Sequence, residues 1–317
     1  MADPSPLPAR GGIRWLGNSE CHDTLQVGAK AAHLSRLARI YRVPPGFCLA
    51  ADAFVQAAVP GSGPDGLPAA LQAAITESYA RLAGTDSSDG QLPRVAVRSS
   101  AIDEDGPSAS FAGQHATYLN ISGAEAVIEA IGRCYLSAWS EQALAYRRQH
   151  GLAVDGVRLA VLVQQLVPAD VSAVMFSAHP ITGSRDELVI TASWGLGESI
   201  VGGTVTPDSW VVRKDGLEII DHRLGSKERM TVAVPGGAHE VDTPRLFRGQ
   251  RSLSDEQVLE MARLGLSLEM LMGWPVDVEC AYAGDELYLL QCRPVTTLRT
   301  AADGSSAAAI QKPSLVT

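Results

Sequence analysis

The sequence predicts an α+β fold built on antiparallel sheets, and three observations carry that prediction. Apolar residues make up 46% of the 317 residues, enough for a substantial core in one large two-lobed unit or two ordinary domains. Segments of helical period and runs of strand-forming residues occur in the same chain. Several of the strand-like runs follow one another with no helix between them, which favours antiparallel pairing over a doubly wound parallel sheet.

Residues 1–12 and 300–317 are rich in proline and in small and polar residues, so both ends are expected to be flexible and the folded unit to span 13–299. A helix is predicted over 29–40. Two turn-rich stretches, PGSGPDG at 60–66 and GTDSSDG at 84–90, bracket a second helix over 67–82, and neither need mark a domain boundary. An apolar strand at 95–97 and a long helix over 124–150 follow. Strands are then predicted in succession at 159–167, 173–176, 188–192, 210–213 and 218–221. Ser254, with Gln257 three residues on, forms a capping box that starts a helix over 255–272. Two further strands, 276–282 and 287–290, are joined around Ala283-Gly284-Asp285. No repeat of solenoid type is present.

The net charge of −9 and the lack of any basic run exclude a binder of duplex nucleic acid, which gains most of its affinity by neutralising phosphates with clustered Lys and Arg. An acidic chain that binds an anion must place its few cations locally, so single Lys and Arg residues at strand ends or in Gly-rich settings become informative. Cys21, Cys48, Cys134, Cys280 and Cys292 stand singly, with no C-x-x-C pair. That argues against a disulfide framework or a zinc site and for a reducing compartment. The proline-rich start lacks the apolar stretch of a signal peptide, and no run approaches the ~18 apolar residues of a membrane span. A soluble, cytoplasmic protein is expected.

Val95-Ala96-Val97 runs into Arg98-Ser99-Ser100 and then into the polar loop Asp103-Glu104-Asp105-Gly106-Pro107. A guanidinium at a strand end, beside two hydroxyls and free backbone N–H groups, suits bidentate contact with phosphate. The alternative is a surface Arg98 paired to the adjacent acids. Downstream, Ser110-Phe111-Ala112-Gly113 is a small-residue loop in which Gly113 permits close backbone approach to a ligand, and Thr117 offers a hydroxyl.

The stretch from Arg98 through Asn120 resembles the RSS…ED…SFAGQ…TYLN signature of the ATP-binding domain in the phosphoenolpyruvate synthase, pyruvate phosphate dikinase and rifampin phosphotransferase family. Further matches follow in order and cover almost all of the folded region. Lys30, in Val27-Gly28-Ala29-Lys30, is similar to the family's early Gly-Gly-Lys lysine that reaches the ATP phosphates, with one Gly replaced by Ala29. Gln164 sits where the family places adenine-side contacts. Gly195-Leu196-Gly197-Glu198, continuing to Thr206-Pro207-Asp208, resembles a Gly-Leu-Gly-Glu…Thr-Pro-Asp run. Glu279, Gln291 and Arg293 resemble a Mg²⁺-binding carboxylate, its amide partner and a phosphate-binding Arg. Singly, each piece has a plainer reading: Lys30 as a solvated helix residue, the Gly-rich loop as a structural turn, Glu279 and Gln291 as part of a half-exposed hairpin.

The resemblance implies an ATP-grasp-type, two-lobed fold that holds ATP and Mg²⁺, with Lys30, Arg98 and Arg293 acting on the phosphates. It further implies Gly113, Thr117, Gln164 and Glu198 around the nucleotide, and Glu279 and Gln291 on the metal. Phosphate would pass to a phosphocarrier histidine on a partner protein or directly to a small molecule. An ATP-dependent ligase forming an acyl phosphate and a non-catalytic nucleotide sensor are the other readings. Two positions depart from the family: Gln142 stands where an Arg is usual, and His179 where Asn or Asp is common. The carrier domain's histidine has no counterpart here, since His239 in Gly236-Gly237-Ala238-His239 lacks the family's surroundings and fits a surface loop.

If Glu279 and Gln291 reach one metal, they must oppose each other across their hairpin. An odd loop, Gly284-Asp285-Glu286, achieves this and puts Arg293 and Leu289 on the face of Gln291 by the period-2 rule. A two-residue turn would pair Glu279 with Leu290 and send Gln291 to the other face.

Overall fold

A computed structural model of the chain describes residues 12–55, 67–84, 92–102, 116–149, 151, 154 and 157–295. The chain opens with β1 (Ile13–Trp15), α1 (Thr24–Leu37), β2 (Gly46–Leu49), α2 (Ala51–Val55) and α3 (Ala69–Ala83). It continues through β3 (Val95–Ala101), β4 (Thr117–Ile121), α4 (Ala124–Ser137), α5 (Glu141–Gln149) and β5 (Leu159–Gln165). These strands form one antiparallel sheet in the order β1-β2-β5-β3-β4.

The second half gives β6 (Val171–Phe176), β7 (Glu187–Trp194), α6 (Glu198–Val201), β8 (Asp208–Arg213) and β9 (Glu218–Arg223). After these come β10 (Arg229–Val234), β11 (Gly237–Asp242), α7 (Arg245–Arg248), α8 (Asp255–Met272), β12 (Val276–Ala283) and β13 (Glu286–Pro294). A six-stranded antiparallel sheet runs β13-β12-β6-β7-β8-β9, and β10 pairs with β11 as a separate hairpin. The expected α+β arrangement with antiparallel sheets is thus present, in two lobes, one per large sheet.

Two apolar clusters explain the layering. On one face of the first sheet, Val95, Val97, Val161 and Val163 meet Ile75 of α3 and Ile131 of α4. On its other face, Ala160 and Leu162 meet Val27, Ala31 and Leu34 of α1, and the same cluster continues into the second sheet through Val278, Cys280, Leu289 and Cys292. Helix α1 is therefore shared by the two lobes, and its burial binds them into one core. Behind the second sheet, Val258, Met261 and Leu268 of α8 close the layer.

Local chemistry sets most boundaries. Helix α8 has the predicted bounds because Ser254 and Gln257 form the reciprocal capping box and Gly273, at φ 78°, ends it in the left-handed conformation. The helix predicted over 124–150 is two helices. Ser140 interrupts it, its Oγ accepting from Ala143 N at 3.2 Å as the cap of α5. Helix α1 starts five residues before its predicted bound at 29 and is kinked at Gly28, whose φ is 74°. A Cβ there would lie 2.3 Å from Ser100 Oγ and 2.5 Å from Ser100 O, so only glycine lets α1 lie this close to β3.

A fully buried ion pair, Lys227 with Asp208, ties the second lobe's loops together. Asp208 also accepts from Gly225 N at 2.8 Å, Ser252 N at 2.7 Å and Ser252 Oγ at 2.8 Å, so both carboxylate oxygens are satisfied. The β10–β11 hairpin touches both lobes. Asn120 of β4 donates to Val234 O and Gly237 O, and Thr231 of β10 bridges to Gly195 and Leu196. His239 is an exposed residue of β11. No helix among the described residues is long and apolar enough to cross a membrane.

Candidate active site

A cavity of about 370 Å³ opens between the two sheets, within the ~300–1,000 Å³ range of small-molecule sites. Its walls are mostly apolar: Leu119 of β4, Leu166 and Val167 after β5, Leu196 and Val201 around α6, and Ala281 of β12. Into it project a few polar groups, Arg98 of β3, Thr117 of β4, Gln164 of β5, Glu198 of α6 and Glu279 of β12. Apolar walls with a small number of polar groups are what holds a flat, partly charged ligand in one orientation.

The β12–β13 hairpin supplies the charged end, by a route other than the predicted one. Ala283 pairs with Glu286, so the turn is the two-residue Gly284-Asp285 with Gly284 at φ 57°, and the odd loop is not formed. Cys280 nevertheless pairs with Leu289 and Glu279 with Gln291, because the register shifts there and Leu290 is left over as a β-bulge. The bulge restores the opposition that the short turn alone would have lost. It also corrects the face of Leu289, which is buried in the core beside Cys280, while Gln291 and Arg293 face the other way opposite Glu279 and Asp277.

Arg98 reaches across from the first sheet to this point. Its Nη2 donates to Glu279 Oε2 at 2.8 Å and to Gln291 Oε1 at 3.1 Å, and its Nη1 donates to Leu290 O, the bulge carbonyl, at 3.2 Å. The Arg98 and Glu279 side chains are only 13% and 20% exposed, so the pair is shielded from bulk water. The ion-pair partner of Arg98 lies 181 positions away, and the acids Asp103, Glu104 and Asp105 lie outside the described residues. Two hard oxygens converging on one cationic nitrogen are a donor set that suits Mg²⁺. Among the described residues no group of three or more His, Cys, Asp or Glu gathers to hold a metal, so an ion here would need further oxygens from a ligand or water.

The other predicted residues are distributed around this centre. Lys30 donates from Nζ to Ser99 O at 2.9 Å, next to Arg98 on the same strand. Gln164 is 2% exposed, and its Nε2 donates to Pro44 O at 3.3 Å, which fixes the amide in the cavity wall. Thr117 is exposed at the cavity and pairs with Arg98 in the β3–β4 register. Glu198 stands at the cavity rim, where loss of hydration among apolar neighbours raises its carboxyl above the ordinary value. Arg293 does not line the cavity; it forms an ion pair with Asp277, donating to Oδ2 from Nε at 2.9 Å. Burial raises the Asp277 carboxyl and outweighs the opposite pull of Arg293. Gly113 and the rest of its loop lie outside the described residues.

Two departures from the family pattern have local accounts. His179 Nδ1 accepts from Ile181 N and Thr182 N, both at 3.3 Å, which is the backbone-capping task an Asn or Asp performs in such a turn. Gln142 is an exposed residue in the first turn of α5. Leu290 O and the apolar wall residues Leu119, Leu166 and Val167 were not signalled by the sequence, since a backbone carbonyl freed by a bulge and a wall assembled from two sheets leave no local pattern.

Residues 64–313 match the family described as pyruvate phosphate dikinase, AMP/ATP-binding domain. Among curated relatives, "Probable phosphoenolpyruvate synthase" of Methanocaldococcus jannaschii is 45% identical over 234 residues, covering 74% of this chain and 20% of the relative. Phosphoenolpyruvate synthase of Pyrococcus furiosus is 40% identical over 231 residues, covering 70% and 28%. Rifampicin phosphotransferase of Streptomyces sviceus is 38% identical over 299 residues, covering 86% and 34%. The chain therefore spans between a fifth and about a third of the length of these relatives.

Proposed function

The chain belongs to the family of pyruvate phosphate dikinase AMP/ATP-binding domains, and from that premise we propose that it binds ATP with Mg²⁺ between its two sheets, in an ATP-grasp-type manner, and readies the phosphates for transfer. The observation that carries this reading is the convergence of Arg98, Glu279 and Gln291 at the charged end of a mostly apolar cavity. The nucleotide-binding unit on this reading is 13–299.

The apolar walls take the base, with Gln164 held in place for a polar contact to its edge and Glu198 near the sugar. Arg98 offers a planar fork of donors suited to phosphate oxygens, and Lys30, beside it, adds a second cation. Glu279 and Gln291 would hold Mg²⁺, which supplies Lewis-acid charge neutralisation on the phosphates when bound. Arg293 acts from its ion pair with Asp277, one pair of residues along the same face, steadying the hairpin and adding positive potential. Phosphoryl transfer asks the protein for positioning and charge stabilisation more than for covalent chemistry, and these groups provide both.

On this reading the acceptor is a histidine on a partner protein or a small molecule taken directly. Product analysis separates these readings: AMP with inorganic phosphate marks dikinase chemistry, and ADP marks a simple kinase or an acyl-phosphate-forming ligase. Tight binding with no turnover marks a sensor, the reading favoured by Gln142 in place of a cation. The first test is a thermal melt with ATP and Mg²⁺ at about a hundredfold over a micromolar Kd, where linkage predicts close to 2.7 kcal/mol of stabilisation. No shift under those conditions would overturn the nucleotide site.

A further inference from the structure

Resting on the reading of Glu279 and Gln291 as metal ligands, we propose that Arg98 is a resident cation standing at the metal's own position, so that a divalent ion is admitted only together with a polyphosphate that draws the guanidinium away. Glu279 Oε2 and Gln291 Oε1 lie 2.8 and 3.1 Å from the same nitrogen, Arg98 Nη2. An ion held by those two oxygens would compete with Arg98 Nη2 for the same two acceptors and meet its positive charge at close range, so ion and guanidinium disfavour each other there. The guanidinium neutralises the carboxylate inside a shielded site.

The origin of the strands gives this a conformational meaning. Arg98 belongs to β3 in the first sheet, whereas Glu279, Leu290 and Gln291 belong to β12 and β13 in the second. The three hydrogen bonds of Arg98 therefore close the cavity's charged end by joining the lobes. A free metal ion taking Glu279 and Gln291 breaks the two Nη2 bonds and leaves the guanidinium only the Leu290 carbonyl of these acceptors, which costs a buried charge its partners. A polyphosphate offers replacement acceptors to the same fork. Arg98 Nε is buried and has no acceptor among the described residues, so the guanidinium keeps an unused donor. The arrangement makes ligand and metal arrive as one unit and discriminates against metal alone.

The test counts free Mn²⁺ by electron paramagnetic resonance, using Mn²⁺ as the probe and the full chain in every arm. Without nucleotide, Arg98→Met is expected to bind Mn²⁺ at least about tenfold more tightly than wild type, a difference of roughly 1.4 kcal/mol. Adding Glu279→Gln to that variant should abolish the gain. Arg98→Gln, which removes the charge but keeps a polar amide, should show the same direction and serves if the Met variant does not fold. Equal Mn²⁺ affinity in wild type and in a folded Arg98 variant overturns the proposal. A parallel arm keeps its failure apart from that of the site assignment: with a non-hydrolysable ATP analogue, wild type should retain protein-bound Mn²⁺ and Glu279→Gln should lose it. If Glu279→Gln retains it like wild type, the metal-ligand reading itself falls, and the proposal with it.

Discussion

Replacing Lys227 by Met would remove one half of an ion pair whose two side chains are both fully buried. The Asp208 carboxylate would keep three donors, Gly225 N, Ser252 N and Ser252 Oγ, but lose its only countercharge among the described residues. Breaking a buried pair from one side typically costs about 3–5 kcal/mol, because the remaining charge is stranded in a medium of low polarity. At about 2–4 °C per kcal/mol for a chain of this size, the melting temperature should fall by on the order of 10 °C. The double variant Asp208→Asn, Lys227→Met strands no charge and should regain a good part of the loss. Urea unfolding of wild type, both single variants and the double gives the coupling directly as a double-mutant cycle. A single variant costing less than ~1 kcal/mol, or a coupling indistinguishable from zero, would refute the reasoning. The effect should also reach the cavity. Lys227 sits between Gly225, packed against Thr206 O and Pro207 O, and the start of β10, and β10 bridges to Gly195 and Leu196 beside the cavity. The Lys227 variant should therefore also bind ATP more weakly at temperatures where it is still folded.

Arg98→Ala is expected to lose turnover far more than fold, and Arg98→Lys to rescue little, since an ammonium cannot span Glu279, Gln291 and the bulge carbonyl or make bidentate phosphate contact; steady-state rates with melting curves check this. Glu279→Gln should keep the fold and lower phosphate transfer by about a hundredfold or more, as each ~1.4 kcal/mol of lost charge stabilisation is tenfold, measured under single-turnover conditions. Burial raises the Glu198 carboxyl, so the folded state holds a proton the unfolded chain has released, and stability declines as pH rises through the folded value. Glu198→Gln should consequently melt like wild type near about pH 4 and above it near neutral pH, while binding ATP more weakly; equal melting at both ends would show that the rim carboxyl is well hydrated.

Much of the fold was legible because local rules and burial agreed. Helix α8 carried its own start signal in Ser254 and Gln257, the strand at 159–167 begins as an apolar run buried on both faces, and those at 173–176 and 188–192 alternate buried with half-buried positions. Strand β2, with four buried residues led by a glycine, offers no alternation, and its strand character comes from pairing with β1 and β5. The β10–β11 hairpin escaped notice because its outer positions are polar and exposed, so Gly236 and Gly237 read as a loop. In the site, family likeness gave the residue types at 98, 279 and 291. What it did not give was the contact between Arg98 and the hairpin or the bulge, since a surplus residue in a strand is marked only by how its neighbours pair.

That surplus residue makes β13 a strand written in two phases. Before Leu290 the odd positions, Leu287 and Leu289, point to the apolar layer; after it the even position Cys292 does, and Gln291 and Arg293 take the other side. Removing Leu290 would splice the phases together, leaving Glu279 opposite Gln291 and costing only the carbonyl that Arg98 uses. Removing Leu289 gives the same chain, because both residues are leucine, and Leu290 would then stand opposite Cys280 with Gln291 still opposite Glu279. The Leu289-Leu290 pair is thus a point in this strand where its length is negotiable, and a chain one residue shorter there would preserve the charged cluster while holding Arg98 more loosely.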